Sequence, residues 1–308
     1  MSGEISKLIG ERGEAIAKYI FEEIFGYENN LSGNEIMCLN GEEHKRSAAK
    51  KERTTHGIDG LIGNISQLSN RVLDIGYISV KKTEKIGYNK TDLRKHISDI
   101  SQGLECFNKS KVLSDFKRRY SNIRSSEVLG ILVWISDKDD IYDSIQNYIK
   151  DISITSSLTN TIIILDNRRL SFFIETVLQD KKIYKKEKVK FVYHNSGLNP
   201  SIQSYYGEKL PFFYLYSNII AVRIEDNDNV FLKIYYSEEF QENVFRGMMD
   251  LAIDYDKLDS LDKIIFSFRN YQKSKHERMI DEILIEYNSY IKTSKIEILG
   301  HIQTLKNL

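Results

Sequence analysis

Two neighbouring segments combine an acidic side chain and a lysine at a spacing suited to phosphodiester hydrolysis. Asp59 lies in a predicted strand over residues 57–62, and Lys81 ends a second predicted strand that begins at Val72. The residues between them are rich in Asn, Ser and Gly, which predicts that the two strands form a hairpin. Hydrolysis assisted by a divalent metal needs carboxylates to hold a hard cation, and a lysine can orient water or stabilise developing charge.

The geometry of a β-strand indicates which of these side chains lie on the same face. Side chains of a strand alternate between its two faces, so Tyr77, Ser79 and Lys81 share one face of the second strand. We expect Ser79 and Lys81 to point toward the place that Asp59 also reaches.

A third acidic residue, Glu14, lies in a predicted N-terminal helix over about residues 4–26. Helical spacing places Glu14 on one face with Gly10, Ala17 and Phe21. Small neighbours would let this carboxylate approach a sheet closely. The alternative interpretation is an ordinary glutamate near the start of a helix, where the dipole favours negative charge.

The opening helix resembles that of PD-(D/E)xK nucleases, the restriction-endonuclease-like superfamily. Residues 10–19, Gly-Glu-Arg-Gly-Glu-Ala-Ile-Ala-Lys-Tyr, are similar to a G-E-x-x-A-like pattern that places a glutamate near the metal. The predicted order of helix, three strands, helix and strand over residues 4–135 resembles the superfamily core. The chain also resembles the nuclease-like subunits of two-gene bacterial anti-phage defence systems.

The resemblance implies specific roles. Glu14 and Asp59 would be ligands of Mg²⁺ or Mn²⁺, with the carbonyl of Val80 as a backbone ligand. Lys81 would be the catalytic lysine. The implied fold is α/β, a mixed sheet flanked by helices.

One position departs from the family pattern, because Ser79 stands where an acidic residue or glutamine is usual. A neutral hydroxyl is a poor ligand for a hard cation. Asp99 and Gln102 on the next predicted helix are auxiliary candidates, although both also fit a solvated helix face. His56, three residues before Asp59, is a candidate for contacting a phosphate or water, and the favoured alternative is a histidine in a turn.

The middle of the chain is basic although the whole chain has no net charge. Residues 45–124 carry 18 Lys and Arg against 8 Asp and Glu, a balance of +10. Such a block is typical of a surface that follows a phosphate backbone, and the alternative is a set of solvated faces. The predicted nucleic-acid contacts are Lys45, Arg46, Lys50, Lys51, Arg53, Lys82, Lys117, Arg118 and Arg119.

The rest of the chain alternates helices and strands. Predicted strands at 128–135, near 161–165 and near 189–193 suggest parallel additions to the first sheet. The sequence around Pro200 predicts a boundary between a nuclease domain over 1–198 and a C-terminal α+β region over 199–308. That region is rich in tyrosine, which is enriched at interfaces. We therefore expect it to bind a second protein, such as a second defence protein, or another copy of the chain.

Composition excludes other classes. No run approaches the roughly 18 apolar residues of a membrane helix, and the N-terminus lacks the pattern of a secretory signal. The two cysteines, Cys38 and Cys106, are expected to be reduced thiols of a cytoplasmic protein. Together with the six histidines they lack the usual spacing of zinc ligands, which predicts that the chain has no structural zinc site.

The sequence therefore predicts a metal-dependent nuclease that acts on DNA or on structured RNA such as tRNA, in anti-phage defence. Two alternatives remain open at this point. One is a catalytically inactive nuclease fold that binds nucleic acid, as Ser79 permits. The other is a structural or regulatory subunit of a defence complex.

Overall fold

The computed structural model divides the chain into two compact units. The first comprises Met1–Leu170 with Asn195–Ile202, and the second comprises Ser171–His194 with Gln203–Leu308. The structure describes residues 2–27, 33–45, 50–83, 87–137, 144–149, 160–200, 204–256 and 259–301.

The first unit contains helices and strands in alternation. Its helices are α1 (Ser2–Tyr19), continued by a π-helical turn (Ile20–Ile24), α2 (Lys90–Asn108), α3 (Lys111–Lys117), α4 (Gln146–Ile149) and α5 (Asn167–Phe173), which extends into the second unit. Its strands are β1 (Asn34–Met37), β2 (Thr55–Ile58), β3 (Gly60–Ile65), β4 (Val72–Thr83), β5 (Ser125–Ser136) and β6 (Ile162–Leu165).

Four of these strands form a mixed sheet in the order β3-β4-β5-β6. The hairpin β3–β4 is antiparallel, whereas β4–β5 and β5–β6 are parallel. Strands β1 and β2 form a separate antiparallel pair. The predicted strand over 57–62 is thus two strands, divided at Asp59.

Helices α1 and α2 cover opposite faces of β4. Gly13 of α1 lies against Val80 and Lys82, whereas Gly103 of α2 lies against Tyr77. Alternate residues of a strand face opposite sides, so these contacts fix the two helices on the two faces. The predicted apolar stripe of α2 is buried in the core, and the helix begins where the Asn89 side chain accepts the Asp92 N–H at 2.9 Å.

The second unit is built on a six-stranded mixed sheet in the order β12-β11-β10-β9-β7-β8. Its elements are α6 (Gln179–Tyr184), β7 (Val189–Val192), β8 (Tyr206–Gly207), β9 (Ile219–Asp226), β10 (Asn229–Glu239), α7 (Glu242–Tyr255), β11 (Lys263–Arg269), α8 (Lys273–Tyr287) and β12 (Ile296–His301).

The structure corrects the expectation for the strand near 189–193. Strand β7 pairs antiparallel with β9 in the second sheet and does not extend the first. Strands β5 and β6 are the parallel additions to the first sheet. Compared with the boundary predicted at 198, residues 171–194 group with the second unit. The α/β class with mixed sheets and flanking helices is confirmed.

Most of the C-terminal aromatic residues lie in the core of the second unit. The Tyr214 hydroxyl donates to the Val192 carbonyl at 2.8 Å, and the Tyr235 hydroxyl donates to buried Asp180. Tyr205 and Tyr216 remain 52% and 65% exposed. No helix in the described ranges combines the length and hydropathy needed to cross a membrane.

Candidate active site

The candidate site lies at the edge of β4 where β3 begins. Gly60 pairs with Ile78, and it is the first residue of β3 to pair with β4. Asp59 continues the contact: its N–H donates to the Ile78 carbonyl at 3.2 Å. Its Oδ2 accepts the Val80 N–H at 2.6 Å. This bond fixes the Asp59 carboxylate beside Val80.

The carbonyl of Val80 faces the same edge. In an extended strand the N–H and C=O of one residue point to the same side, as the paired bonds of antiparallel strands require. The Val80 N–H is directed at Asp59, and its carbonyl oxygen therefore lies on the side of that carboxylate. The edge thus presents a carboxylate and a backbone carbonyl together, both hard oxygen donors.

Glu14 joins this group from α1. Burial and the neighbouring negative charge of Asp59 raise the pKa of Glu14, while the charge of Lys81 opposes the rise. The three charged groups are therefore close enough to interact. Two carboxylates and one ammonium leave this group with an excess of negative charge.

Close packing of α1 on β4 brings Glu14 to the edge. A Cβ on Gly13 would lie 3.0 Å from the Cβ of Lys82, and Ala17 is fully buried. Gly10, which the sequence suggested for this approach, is exposed, and a Cβ placed on it would meet no neighbour within 4 Å in the described part of the chain. That part of the prediction is wrong, because the helix turns Gly13 toward the sheet.

Lys81 lies on the face of β4 that packs against α2. Its Nζ is 4.0 Å from Asp99 Oδ2, and its side chain is 29% exposed. Asp99 also accepts a 2.6 Å hydrogen bond from Arg53 Nη1, and Arg53 Nε donates to the Thr55 carbonyl at 2.9 Å. Asp99 is therefore not simply an acidic residue on a solvent-exposed helix face, because it connects the segment before β2 with Lys81. Ser79, on the same face, is buried.

The comparison with known families agrees with this geometry. The family described as GAPS4 protein PD-(D/E)XK nuclease domain matches residues 1–169, more than half of the chain. The chain belongs to this family. The predicted membership of the PD-(D/E)xK superfamily is confirmed, and the match supports its defence-associated context. No curated protein matches the chain, and neither does any solved structure.

Tyr77 makes a contact near Asp59 that the sequence interpretation missed. Its hydroxyl donates to the Gly57 carbonyl at 2.8 Å, two residues before Asp59. A Cβ on Gly103 would lie 2.5 Å from this hydroxyl, so the glycine makes room for it. The sequence did offer one indication, because Tyr77 lies on the same face of the strand as Ser79 and Lys81.

Two of the basic residues expected to contact nucleic acid are engaged within the nuclease domain. Arg53 is 14% exposed and bonded to Asp99, and Lys82 is 5% exposed and paired with Asp137. Neither offers a free cation to a phosphate. Lys50 and Lys51 are exposed on the segment that leads to Arg53. Arg46 lies outside the described residues.

The remaining basic residues predicted to contact nucleic acid lie farther along the sheet or form ion pairs. The Lys45 Nζ atom lies 3.7 Å from Glu42 Oε2. The Tyr120 hydroxyl donates to the Gly63 carbonyl at 3.0 Å, so the segment after α3 contacts β3 four residues beyond Asp59. Near that contact are Lys117, which is partly exposed, Arg118, which pairs with Asp115, and Arg119, which lies over the Phe116 ring.

The two remaining auxiliary candidates have different surroundings. His56 is 1% exposed, and burial lowers its pKa to about 4, so it is a neutral, enclosed side chain at neutral pH. It is not placed to contact a phosphate. Gln102 is partly exposed on α2. Asp74, the acidic residue of β4 itself, is not placed to replace the acid missing at Ser79, because it is on the opposite face of β4 from Lys81 and at its other end, paired in register with Asn64 and Glu127.

Proposed function

We propose that this chain is a divalent-metal-dependent nuclease whose site comprises Glu14, Asp59, Val80 and Lys81. One observation carries the proposal: the Asp59 carboxylate is fixed on the Val80 N–H, and Glu14 is within electrostatic reach of both Asp59 and Lys81. PD-(D/E)XK nucleases generally use divalent metals. Three oxygen donors with surplus negative charge suit a hard cation such as Mg²⁺ or Mn²⁺.

The residues fit such an ion. Glu14 and Asp59 would hold it with their carboxylates, and the Val80 carbonyl would complete the protein's share of ligands. When bound, a cation of this kind supplies Lewis-acid polarisation of a phosphoryl oxygen and a lowered pKa for water. The raised pKa of Glu14 is consistent with this assignment: partial burial is its main cause, and the negative charge of Asp59 adds to it.

The protein's own groups would orient the reaction. Lys81 presents an ammonium that can position the attacking water or stabilise charge on the phosphate. Asp99, 4.0 Å away, would restrain that ammonium, and Arg53 in turn fixes Asp99. Asp99 is therefore a positioning residue in this proposal. Ser79, which is buried and neutral, takes no part as a charged ligand.

The substrate we propose is DNA or a structured RNA such as tRNA, in a cytoplasmic anti-phage role. Lys50 and Lys51 provide exposed cations on the segment that leads through Arg53 to Asp99 and Lys81. Exposed lysines that neutralise phosphates give affinity without sequence information. The exposed tyrosines of the second unit support a further proposal, docking of a second defence protein or another copy of the chain.

The decisive experiment incubates the purified full chain with mixed DNA and RNA, with Mg²⁺, Mn²⁺ or a chelator. Metal-dependent cleavage that Asp59→Asn abolishes is the expected result. The matched control is Asp281→Asn, which removes an exposed carboxylate on α8 of the second unit and should leave cleavage unchanged.

The replacement of the usual acid by Ser79 favours one alternative, an inactive nuclease fold that binds nucleic acid. Salt-sensitive binding with no cleavage under any metal would select it. Light scattering and recovery of the chain from its native host test the assembly. A strictly monomeric chain recovered with no stoichiometric companion would contradict the docking proposal.

A further inference from the structure

Four potential metal ligands from distant parts of the sequence converge in the first unit. They are Cys38 after β1, His44 in the following turn, His56 in β2 and Cys106 in α2, and their ligand atoms all lie within 4.8 Å of one another. His44, His56 and Cys106 are 4%, 1% and 1% exposed. The prediction that the chain has no structural zinc site was based on spacing along the sequence, which did not reveal that these four residues lie together.

The three distances from His44 Nδ1 to the other ligand atoms are compatible with the edges of a tetrahedral site. His44 Nδ1 lies 3.3 Å from Cys38 Sγ, 3.6 Å from Cys106 Sγ and 3.2 Å from His56 Nε2. Zinc bonds of about 2.3 Å to sulfur and about 2.0 Å to nitrogen give tetrahedral edges of roughly 3.3–3.8 Å. The three separations match those edges within about 0.3 Å.

Hydrogen bonding alone accounts poorly for this arrangement. A single imidazole nitrogen either donates one proton or accepts with one lone pair, yet His44 Nδ1 faces three polar atoms. Two buried imidazoles packed against two thiols need a shared partner, and a cation at the centre provides it.

Surrounding groups orient the ligands as they do around zinc. His44 Nε2 lies 3.3 Å from Glu105 Oε2, and the Asn40 amide donates to the other oxygen of Glu105 at 2.5 Å. The backbone N–H of Leu39 donates to Cys106 Sγ at 3.3 Å. Histidines that bind zinc commonly donate their second N–H to a carboxylate, which fixes the ring and the tautomer.

We propose that Cys38, His44, His56 and Cys106 bind one Zn²⁺ in a closed, four-coordinate structural site. Four protein ligands leave no position for water or substrate, which is typical of structural and not of catalytic zinc. The ion would join β1, the turn after it, β2 and α2 at one point. Strand β2 continues into Asp59 and α2 carries Asp99, so the zinc would hold the frame on which the proposed active site is built.

Metal analysis of the purified full chain, with any affinity tag removed and after dialysis against a weak chelator, tests this. About one zinc per chain is expected, with loss of most of it in Cys106→Ser and in His44→Ala. Two controls should keep their zinc: Asp59→Asn, which alters the proposed catalytic metal site, and His276→Ala, which removes a histidine of the second unit.

A spectroscopic measurement guards against variants that fail to fold. The unaltered chain, stripped of metal and given Co²⁺, should show the visible bands of tetrahedral cobalt with thiolate ligands, and Zn²⁺ should displace them. Reduced chain that takes up neither zinc nor cobalt would overturn the proposal, as would iron in place of zinc or a Cys38–Cys106 disulfide found by mass spectrometry. The zinc count does not depend on cleavage, so a chain without nuclease activity but with one zinc would refute only the proposed function.

Discussion

Replacing Lys81 by alanine should separate catalysis from stability. Within the described ranges Lys81 makes one ion pair, at 4.0 Å to Asp99, and its side chain is partly exposed. Asp99 keeps its 2.6 Å bond to Arg53 in the variant, so no acidic side chain loses its only partner. Pairs of this kind contribute about 1 kcal/mol or less to the free energy of unfolding. For a domain of this size, that corresponds to a decrease in Tm of about 2–4 °C.

The effect on cleavage should be far larger. Loss of one group that stabilises charge in the transition state lowers the rate by about 10²-fold or more, which corresponds to roughly 2.7 kcal/mol. Single-turnover cleavage at saturating metal measures the rate, and thermal unfolding measures Tm. The matched control is Lys273→Ala, which removes a lysine that is 75% exposed on α8.

Two outcomes would refute the assignment of Lys81. Cleavage within a few-fold of the unaltered chain would show that the lysine does not serve the reaction. A large decrease in Tm that accounts for the lost activity would show a structural role instead.

Three further perturbations test the surrounding site. Asp59→Asn should weaken Mn²⁺ binding in calorimetry because it removes a charged ligand, and binding equal to that of the unaltered chain would place the metal elsewhere. Replacing Lys50 and Lys51 by serine should reduce the salt dependence of nucleic-acid affinity, by a log–log slope of about 2 at most; an unchanged slope would mean that neither lysine contacts phosphate. Gly13→Val should force α1 away from β4 and reduce cleavage, since even a Cβ lies 3.0 Å from Lys82. Gly10→Val on the same helix should leave cleavage unchanged, because a Cβ at Gly10 would point into open space.

Two features of the first unit followed from sequence periodicity. The alternation in β4 predicted that Ser79 and Lys81 share a face, and the apolar spacing of residues 93–107 predicted the buried side of α2. Both are local patterns set by one element. The position of β7 was not predictable in this way, because alternation of helices and strands does not determine which sheet a strand joins.

Contacts between distant segments limited the prediction of the site. The local sequence indicates that Arg53 is a cation available to phosphate, yet the fold places it on Asp99, 46 residues later. The four clustered residues, Cys38, His44, His56 and Cys106, are separated along the sequence by 5, 11 and 49 intervening residues, in that order. Sequence motifs for zinc sites depend on pairs of ligands that lie a few residues apart. Here each ligand comes from a different part of the fold. Only the packing of α2 on the β1–β2 pair brings them together.

Anomalous diffraction from a crystal of the full chain grown with Mn²⁺ tests the central claim most directly. A peak is predicted at the edge of β4, within about 2.2 Å of a Glu14 oxygen, an Asp59 oxygen and the Val80 carbonyl oxygen. Manganese absent from that edge, or held only by residues elsewhere, would contradict the assignment of this site.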